Sequence, residues 1–523
     1  MNVAVHHAVA RRRSGVLLHP TSLPGPHGSG DFGPGAYHFM DWLHGAGQSL
    51  WQVLPLNPIG PGNSPYAGVS AFGGNPLLVA LEPLIEKEWL AAPSAADLDS
   101  FNTTATDNRI DYGRTIRWRM AQLRQAWAGF KVSAAADDRR ALQTYCATEQ
   151  AWLDDYALFM ALDHAVNGKS GTAFRAWCDW DADLATRQST ALDTARTRYA
   201  DDIAFWQFTQ WCFETQWQAL RAYGKARGIS VVGDLPIFVA HHSADCWARP
   251  DLYWLDGAGH PTVVAGVPPD YFSQTGQRWG NPLYRWDQFE TEGFAWWTAR
   301  VKRQLALADS VRIDHFRGFA AYWEIPAVCA TAVDGRWVDA PGEKLFQALQ
   351  AALGTAYGDA SGQLPIIAED LGVITPDVEA LRDSCGFPGM RILQFAFGDT
   401  PQNPYLPHNY PPNCVAYTGT HDNDTSRGWW ASATPAERET AARYLNIDVQ
   451  DDAQPIHWTM IRAAIASVAN TVIFPLQDVL GLDGAHRMNT PGLMGAWEWR
   501  FSWAGIDDQP ALRLKSLTRT YGR

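Results

Sequence analysis

The amino-acid sequence predicts an α/β fold of the (β/α)8 barrel type. Eight short apolar runs rich in β-branched residues have the composition of buried strands, and most are separated by segments with helical spacing of apolar residues. Alternating strands and helices favour a parallel sheet, and eight such units close into a barrel. Several runs end directly in Asp or Glu, at the edge where such a barrel carries its active site. The runs begin near Val16, Leu50, Ile229, Val311, Pro365, Met390, Val415 and Val472.

The composition of the 523-residue chain is typical of a soluble globular protein, with 46% hydrophobic and 19% charged residues. The 42 Lys and Arg residues against 55 Asp and Glu give a net charge of −13, so we expect no nucleic-acid partner. No apolar run is long enough to span a bilayer, and the basic run Arg11–Arg13 is followed by prolines rather than by the apolar core of an export signal. Seven scattered cysteines without a C-x-x-C pair are typical of reduced thiols, so we expect a cytoplasmic protein.

The first strand, Gly15–Pro20, is followed by a loop rich in Gly and Pro and by an apolar helix over 35–46. Within the loop, Gly28–Gly33 matches the pattern G-x-G-x-x-G. Three prolines separate it from the strand, and the acidic residue of a dinucleotide site does not follow in the required place, so we interpret it as a turn-rich loop. Leu50–Leu56 is the second strand.

A long segment with helical spacing follows the second strand. Its length is that of a domain, so we predict a mainly helical insertion at 57–227 inside a single interrupted barrel that spans 1–523. The segment 250–290 carries many aromatic residues and is predicted to be a loop region beside a groove. The predicted helices of the insertion cover 117–130, 139–166 and 200–223.

The stretch Ser310–Gly318 contains the strongest candidate for a catalytic residue. Val311 and Ile313 suit a strand, and alternation along a strand directs Arg312 and Asp314 to the same face. An Arg in that position can keep the Asp ionised and oriented, as a covalent nucleophile requires. By itself the pattern is more often a structural ion pair at the end of a strand.

Two further stretches favour the catalytic interpretation. Leu364–Gly372 is an apolar strand that ends in Glu369 and Asp370, and Val415–Asp424 is another that ends in a His-Asp-Asn-Asp turn. Three apolar runs that each end in acids predict one site that collects carboxylates from several strand ends.

These motifs resemble those of the 4-α-glucanotransferases called amylomaltases or disproportionating enzymes, a glycoside hydrolase family of the α-amylase clan. The resemblance runs from about residue 15 to about residue 500 and includes Ser64–Tyr66 with Ser70–Leu77, the run 276–286 and the tail 487–500. In the tail, Leu493 and Ala496 stand where the family pattern has Thr and Asn. The departure leaves the shape of the groove and the preferred acceptor open.

The resemblance implies three catalytic acids. Asp314 is the expected nucleophile, Glu369 the general acid and then the general base, and Asp422 the residue that binds and distorts the sugar at the cleavage point. Glu369 follows an apolar strand, so partial burial would raise its pKa and keep it protonated for its first task. Asp370 and Asp424 are expected to be structural.

The same resemblance implies the substrate-binding residues. Tyr66 lines the sugar groove, and Asp234 lies near the cleavage point. Gln277 and Trp279 belong to a mobile loop over the groove, with an amide for hydroxyls and an indole for a ring face.

Two further side chains are expected to assist the catalytic acids. Arg312 orients Asp314, and His421 donates hydrogen bonds to sugar hydroxyls.

The implied function is that of a retaining transglycosylase. It would move α-1,4-glucan segments from a donor maltooligosaccharide or glucan to the 4-hydroxyl of an acceptor glucose or glucan, through a covalent glycosyl-aspartate intermediate. Retention requires the two catalytic carboxyls to lie about 5 to 5.5 Å apart. Two alternatives remain: an α-1,4-glucan hydrolase with the same acids, and a non-catalytic glucan-binding protein.

We expect maltooligosaccharides and starch- or glycogen-type glucans as substrates, glucose as an acceptor, no membrane partner, and a monomer or weak homo-oligomer. No cofactor and no metal ion are expected, although acids at strand ends bind calcium in some members of the clan. His241, His242, Asp245 and Cys246 are metal-ligand types, but their spacing matches no zinc pattern and we interpret them as packing residues.

Overall fold

Eight parallel strands close into a barrel, which confirms the predicted fold class. The computed structural model describes residues 12–102, 109–168, 173–269, 273–398, 400–449, 455–493, 495–504 and 506–523, so Arg11 of the basic run and the first residues of the predicted barrel range lie outside it. The order of strands around the barrel is β1-β12-β11-β10-β9-β6-β3-β2. The strands of the described residues are β1 Arg13–Leu17, β2 Leu50–Gln52, β3 Ser230–Leu235, β4 Val263–Val267, β5 Gln277–Pro282, β6 Ser310–Ile313, β7 Ala321–Pro326, β8 Arg336–Asp339, β9 Ile366–Ala368, β10 Gly389–Ile392, β11 Cys414–Tyr417 and β12 Thr471–Pro475.

Each predicted strand run coincides with a barrel strand. The boundaries differ by three residues or fewer at the start, because β-branched and apolar content marks the buried centre of a strand better than its first hydrogen bond. Buried side chains fill these strands almost without interruption, as expected for a sheet covered on both faces.

A second sheet was not predicted. It is antiparallel, has the order β5-β4-β7-β8, and lies in the chain between barrel strands β3 and β9. Gln277 and Trp279 belong to its strand β5, so the expected loop around these two residues is wrong. The alternation of Gly, Pro and polar residues in this segment obscured the strand pattern, which depends on pairing with β4.

Helices surround the barrel, and seven of them, α2 to α8, lie between β2 and β3. The boundaries 57–227 and 250–290 remain predictions. The helices of the described residues are α1 Pro34–Gly45, α2 Glu82–Glu86, α3 Ala95–Asn102, α4 Tyr112–Ser133, α5 Ala136–Asn167, α6 Ala182–Ala185, α7 Ser189–Arg198, α8 Ala200–Lys225, α9 Ala244–Ala248, α10 Trp286–Thr291, α11 Ala295–Leu307, α12 Gly342–Tyr357, α13 Pro376–Ser384, α14 Ser426–Ser432, α15 Pro435–Leu445, α16 Ile456–Ala466, α17 Leu476–Val479 and α18 Gln509–Thr520.

Helix α8 joins the inserted helices to the barrel. Phe208 and Trp217 are fully buried, and the indole N–H of Trp217 donates to the carbonyl of Leu307 at 2.8 Å. Gln210 and Gln216 bond the backbone of the loop that follows β2, so their buried amides are satisfied. Most buried residues of the insertion belong to the same core as those of the barrel, so this loop is packed firmly against the barrel.

In the described part of the chain, every helix falls short of the length and apolarity that a bilayer crossing requires.

Candidate active site

Strands β3 and β6 place three charged side chains in a row. They pair in register, with Asp234 opposite Arg312, so the two side chains point to the same side of the sheet. Arg312 Nη1 donates to both carboxylate oxygens of Asp234 at 2.8 Å, and Nη2 donates to Asp314 Oδ1 at 2.9 Å. Burial alone would lower the pKa of Arg312, but the carboxylates of Asp234 and Asp314 raise it well above its ordinary value. Asp314 is therefore held by a cation, while 29% of its side chain stays exposed at the mouth.

Glu369 directly follows β9, the neighbour of β6 in the barrel. Its backbone N–H donates to the carbonyl of Ile313 at 3.1 Å, which sets Glu369 beside Asp314 at the same edge of the barrel. Its two carboxyl oxygens accept the N–H of His315 at 2.6 Å and the N–H of Leu371 at 3.0 Å. His315 adopts the left-handed conformation with φ of 50°, and this turn after Asp314 aims its N–H at Glu369.

The environment of Glu369 keeps it protonated. Burial is the largest cause that raises its pKa, to about 8, and the negative charge of Asp314 adds to it. Arg312 and the two N–H groups act in the opposite direction. A protonated carboxyl beside an ionised and oriented one is the pattern of a general acid with a nucleophile.

Asp422 lies across the mouth, in the turn after β11. Asn489 Nδ2 donates to Asp422 Oδ1 at 2.6 Å, and Arg487 donates to its backbone carbonyl at 2.9 Å. His421 Nε2 lies 3.4 Å from the other carboxylate oxygen. With 43% of its side chain exposed, Asp422 presents a carboxylate to the groove.

Tyr66 connects the two sides of the mouth. Its hydroxyl donates to Asp234 Oδ2 at 2.7 Å, and its ring stacks on His421 with centroids 5.2 Å apart. Trp497 lies against both rings, with centroids 5.6 and 5.8 Å away. Burial and the Asp234 carboxylate raise the pKa of Tyr66 well above its ordinary value, so the hydroxyl remains a donor.

Trp279 lies against His315, the residue that follows Asp314. Its indole meets the ring of His315 edge-on at a centroid distance of 4.8 Å, and its N–H donates to the Gln277 side chain at 3.1 Å. The indole is 38% exposed, which leaves an aromatic face free for a sugar ring. The pKa of His315 is lowered to about 4, chiefly by burial, so this ring is neutral.

All nine predicted site residues therefore lie around one barrel mouth, but the sequence assigned no role to Asn489, Trp497 or His315. The sequence motifs could have indicated a role for them, since Asn489 and Trp497 belong to the tail motif 487–500 and His315 belongs to the stretch Ser310–Gly318. A cavity of about 260 Å³ is lined by Asn489 and Trp497. The two positions that depart from the family pattern, Leu493 and Ala496, line it as well.

The acids expected to be structural have partners of their own. Asp370 is buried and accepts the N–H of Met390 at 2.6 Å, and it pairs with Arg382 and Arg391. Asp424 accepts the N–H of Thr425 at 2.7 Å.

The metal-ligand types after β3 also have separate partners. His241 Nε2 donates to a backbone carbonyl, His242 pairs with Asp163, and Asp245 accepts a backbone N–H from the loop after β2. These contacts are those of packing residues.

Comparisons with known proteins place the chain in a family. Residues 18–506 match the sequence profile of glycoside hydrolase family 77, described as 4-alpha-glucanotransferase. The chain belongs to this family. The resemblance inferred from its motifs is thereby confirmed, and the protein is an enzyme of the transferase class.

Individual relatives are similar in sequence to this protein over nearly its whole length. A 4-alpha-glucanotransferase of Thermus thermophilus is 49% identical over 518 residues, which cover 98% of this chain and 99% of the relative. The chloroplastic/amyloplastic 4-alpha-glucanotransferase DPE1 of Arabidopsis thaliana is 44% identical, with 98% and 86% covered. The structure of the amylomaltase from Streptococcus agalactiae in complex with acarbose superposes with a TM-score of 0.89 at 36% identity and covers 98% of this chain and 100% of that one.

Proposed function

We propose that the protein transfers α-1,4-glucan segments from a donor maltooligosaccharide or glucan to the 4-hydroxyl of an acceptor glucose or glucan, through a covalent intermediate on Asp314. The observation that carries the proposal is the pair at the ends of β6 and β9: an Asp314 held by Arg312 next to a Glu369 whose pKa is raised to about 8. Such a pair can protonate a leaving oxygen and attack the anomeric carbon from the other side.

In the first half-reaction, Glu369 gives its proton to the glycosidic oxygen while Asp314 attacks the anomeric carbon. The bond to the leaving fragment breaks, an ester to Asp314 forms, and the fragment departs as an alcohol. At pH 7 a group with a pKa of about 8 is about 90% protonated, so most molecules are ready for this step.

In the second half-reaction, the Glu369 carboxylate takes the proton of the acceptor's 4-hydroxyl. The acceptor oxygen attacks the anomeric carbon, the ester breaks, and both carboxyls return to their starting states. Since the negative charge of Asp314 raises the pKa of Glu369, esterification of Asp314 removes that cause. The pKa of Glu369 then falls, which suits its second task as a base.

The remaining residues bind and distort the sugar. Asp422, with one oxygen held by Asn489, has its other oxygen available for hydroxyls of the ring at the cleavage point. Tyr66 and Trp279 offer aromatic surfaces on two sides of the mouth, while His421 and Gln277 supply hydrogen-bonding groups. We assign substrates of the maltooligosaccharide, starch and glycogen class on this basis.

The location and assembly that we propose are cytoplasmic, without a membrane partner, and monomeric or weakly homo-oligomeric. All seven cysteines lie in the described part of the chain and are free thiols, which supports a reducing compartment.

Incubation with maltotriose alone tests the activity. We expect glucose together with oligosaccharides longer than maltotriose, with the total of reducing ends unchanged. Rising reducing ends with glucose and maltose as products would favour the hydrolase, and unchanged maltotriose would contradict the proposal.

A second experiment tests the intermediate. The Glu369→Gln variant, supplied with a maltooligosaccharyl fluoride that needs no acid, should accumulate a glycosyl adduct on the peptide that carries Asp314. The double variant with Asp314→Asn is the matched control and should show no adduct by mass spectrometry. An adduct on another residue would refute the assignment of Asp314.

A further inference from the structure

Side chains of three metal-ligand types converge where the inserted helices meet the segment before β4. Cys178 and Asp179 lie on a 3-10 turn, Trp177–Asp179, between α5 and α6. His260 belongs to a tight loop just before β4. Within the residues that the structure describes, this is one group of His, Cys and acidic side chains whose ligand atoms all lie within 4.8 Å of one another.

The backbone around the group is held by several contacts. The indole N–H of Trp177 donates to the carbonyl of His241 at 2.7 Å, and His241 Nε2 donates to the carbonyl of Gly259 at 2.8 Å. Gly259 has φ of +87°, and a side chain there would meet the Trp177 ring at 2.7 Å. The loop is thus pressed against the turn, and the positions of Cys178 and His260 do not depend on a metal.

The distance between the two softer ligands matches a metal site. Cys178 Sγ lies 3.5 Å from His260 Nδ1. Zn²⁺ in a tetrahedral site, with bonds of about 2.3 Å to sulfur and about 2.0 Å to nitrogen, separates these two ligands by about 3.5 Å. A thiolate, an imidazole and a carboxylate are all ligands that Zn²⁺ accepts.

We propose that Cys178, Asp179 and His260 form a binding site for a borderline-soft divalent cation of the Zn²⁺ class. The three side chains leave a fourth position to water, because Asp179 and His260 are exposed. The ion would fasten the helical insertion to the segment that leads into β4, the strand that pairs with β5 and so with Trp279. None of the three side chains belongs to the catalytic acids. Binding of the ion would therefore affect the stability of the small sheet that carries Trp279 and not the transfer reaction.

The alternative interpretation of the short distance between Cys178 and His260 is a simple hydrogen bond between the thiol and the imidazole. Metal binding by the thiolate can be distinguished from a hydrogen bond by absorption spectroscopy with Co²⁺.

Titration of the metal-free, full-length protein with Co²⁺ separates the two. We expect a thiolate-to-cobalt charge-transfer band that saturates at one ion per chain and disappears on addition of Zn²⁺. The Cys178→Ser variant should lose the band, and His260→Gln should weaken binding by about tenfold or more. The control Cys385→Ser, which removes another partly buried thiol, should bind like the wild type.

Folding of each variant is checked by its transfer activity without metal, which none of these substitutions should change. The proposal is overturned if the wild type gives no charge-transfer band, if the band survives Cys178→Ser, or if Cys385→Ser abolishes it. A Zn²⁺-dependent rise in Tm that is present in the wild type and absent in Cys178→Ser would support the site independently.

Discussion

The protonated state of Glu369 makes the stability of the protein depend on pH. The pKa of this carboxyl is raised to about 8, chiefly by burial, whereas an exposed Glu has a pKa of about 4.3. A raised pKa in the folded state adds stability that is complete below the unfolded pKa and is lost as pH rises through the folded one. We therefore expect this group to remove about 5 kcal/mol at most from the free energy of unfolding between about pH 4 and about pH 8.

The Glu369→Gln variant isolates this contribution because its side chain is neutral at every pH. At low pH we expect it to be less stable than the wild type by about 1 to 3 kcal/mol, since its amide NH2 would face one of the backbone N–H groups of His315 and Leu371. As pH rises to about 9, the wild type should lose stability relative to the variant by several kcal/mol. Urea denaturation over this range measures the difference.

The exposed residue Glu379 supplies the control, because its substitution by Gln removes a carboxyl from the surface of helix α13 and leaves the barrel mouth intact. If the wild type and Glu369→Gln lose stability in parallel, Glu369 is ionised in the folded protein. The assignment of Glu369 as the general acid would then be refuted.

Four further results are expected from steady-state assays with maltotriose. The rate kcat should fall above about pH 8 as Glu369 loses its proton, which a pH–rate profile measures. Asn489→Ala removes the donor that holds Asp422, and kcat/KM should fall by about 10- to 100-fold, as expected for about 1.5 to 3 kcal/mol. Tyr66→Phe keeps the stacked ring but removes a buried hydrogen bond, so kcat/KM should fall by about tenfold with little change in KM. Trp279→Ala removes a half-exposed binding surface, so KM should rise by about tenfold while the free energy of unfolding changes by about 0.5 kcal/mol or less.

Matched variants distinguish these effects from general damage. Asn413→Ala removes an exposed amide, Tyr410→Phe alters a buried tyrosine before β11, and Trp337→Ala removes a comparably exposed indole from the same small sheet as Trp279. Each control should leave kcat/KM within about twofold of the wild type. Equal losses in a control and its partner would contradict the role given to that site residue.

The small antiparallel sheet shows where sequence reasoning failed. Its strands pair across gaps in the chain, as β4 does with β7 between Val263 and Pro326. Its outer strands β5 and β8 lack the continuous apolar run that marks a barrel strand, because most of their side chains are exposed or half-buried. The expected loop at Gln277 and Trp279 was wrong for this reason.

The sequence by itself determined the barrel and its acids, because both depend on local pattern. Buried parallel strands require apolar, β-branched runs, and side chains such as Asp314 and Glu369 that directly follow those runs must lie at one edge of the barrel. Alternation along β6 was enough to place Arg312 on the same face as Asp314.

Only the tertiary structure decided the partners and the charge states of those acids. Tyr66 bonds Asp234 from 168 residues away, and Asn489 bonds Asp422 from 67 residues away, at distances set by packing that no local pattern contains. The pKa of Glu369 likewise depends on how deeply the finished barrel buries its carboxyl and on the charges that surround it. Desolvation and hydrogen bonding are properties of the assembled site, so they arise only when the chain has folded.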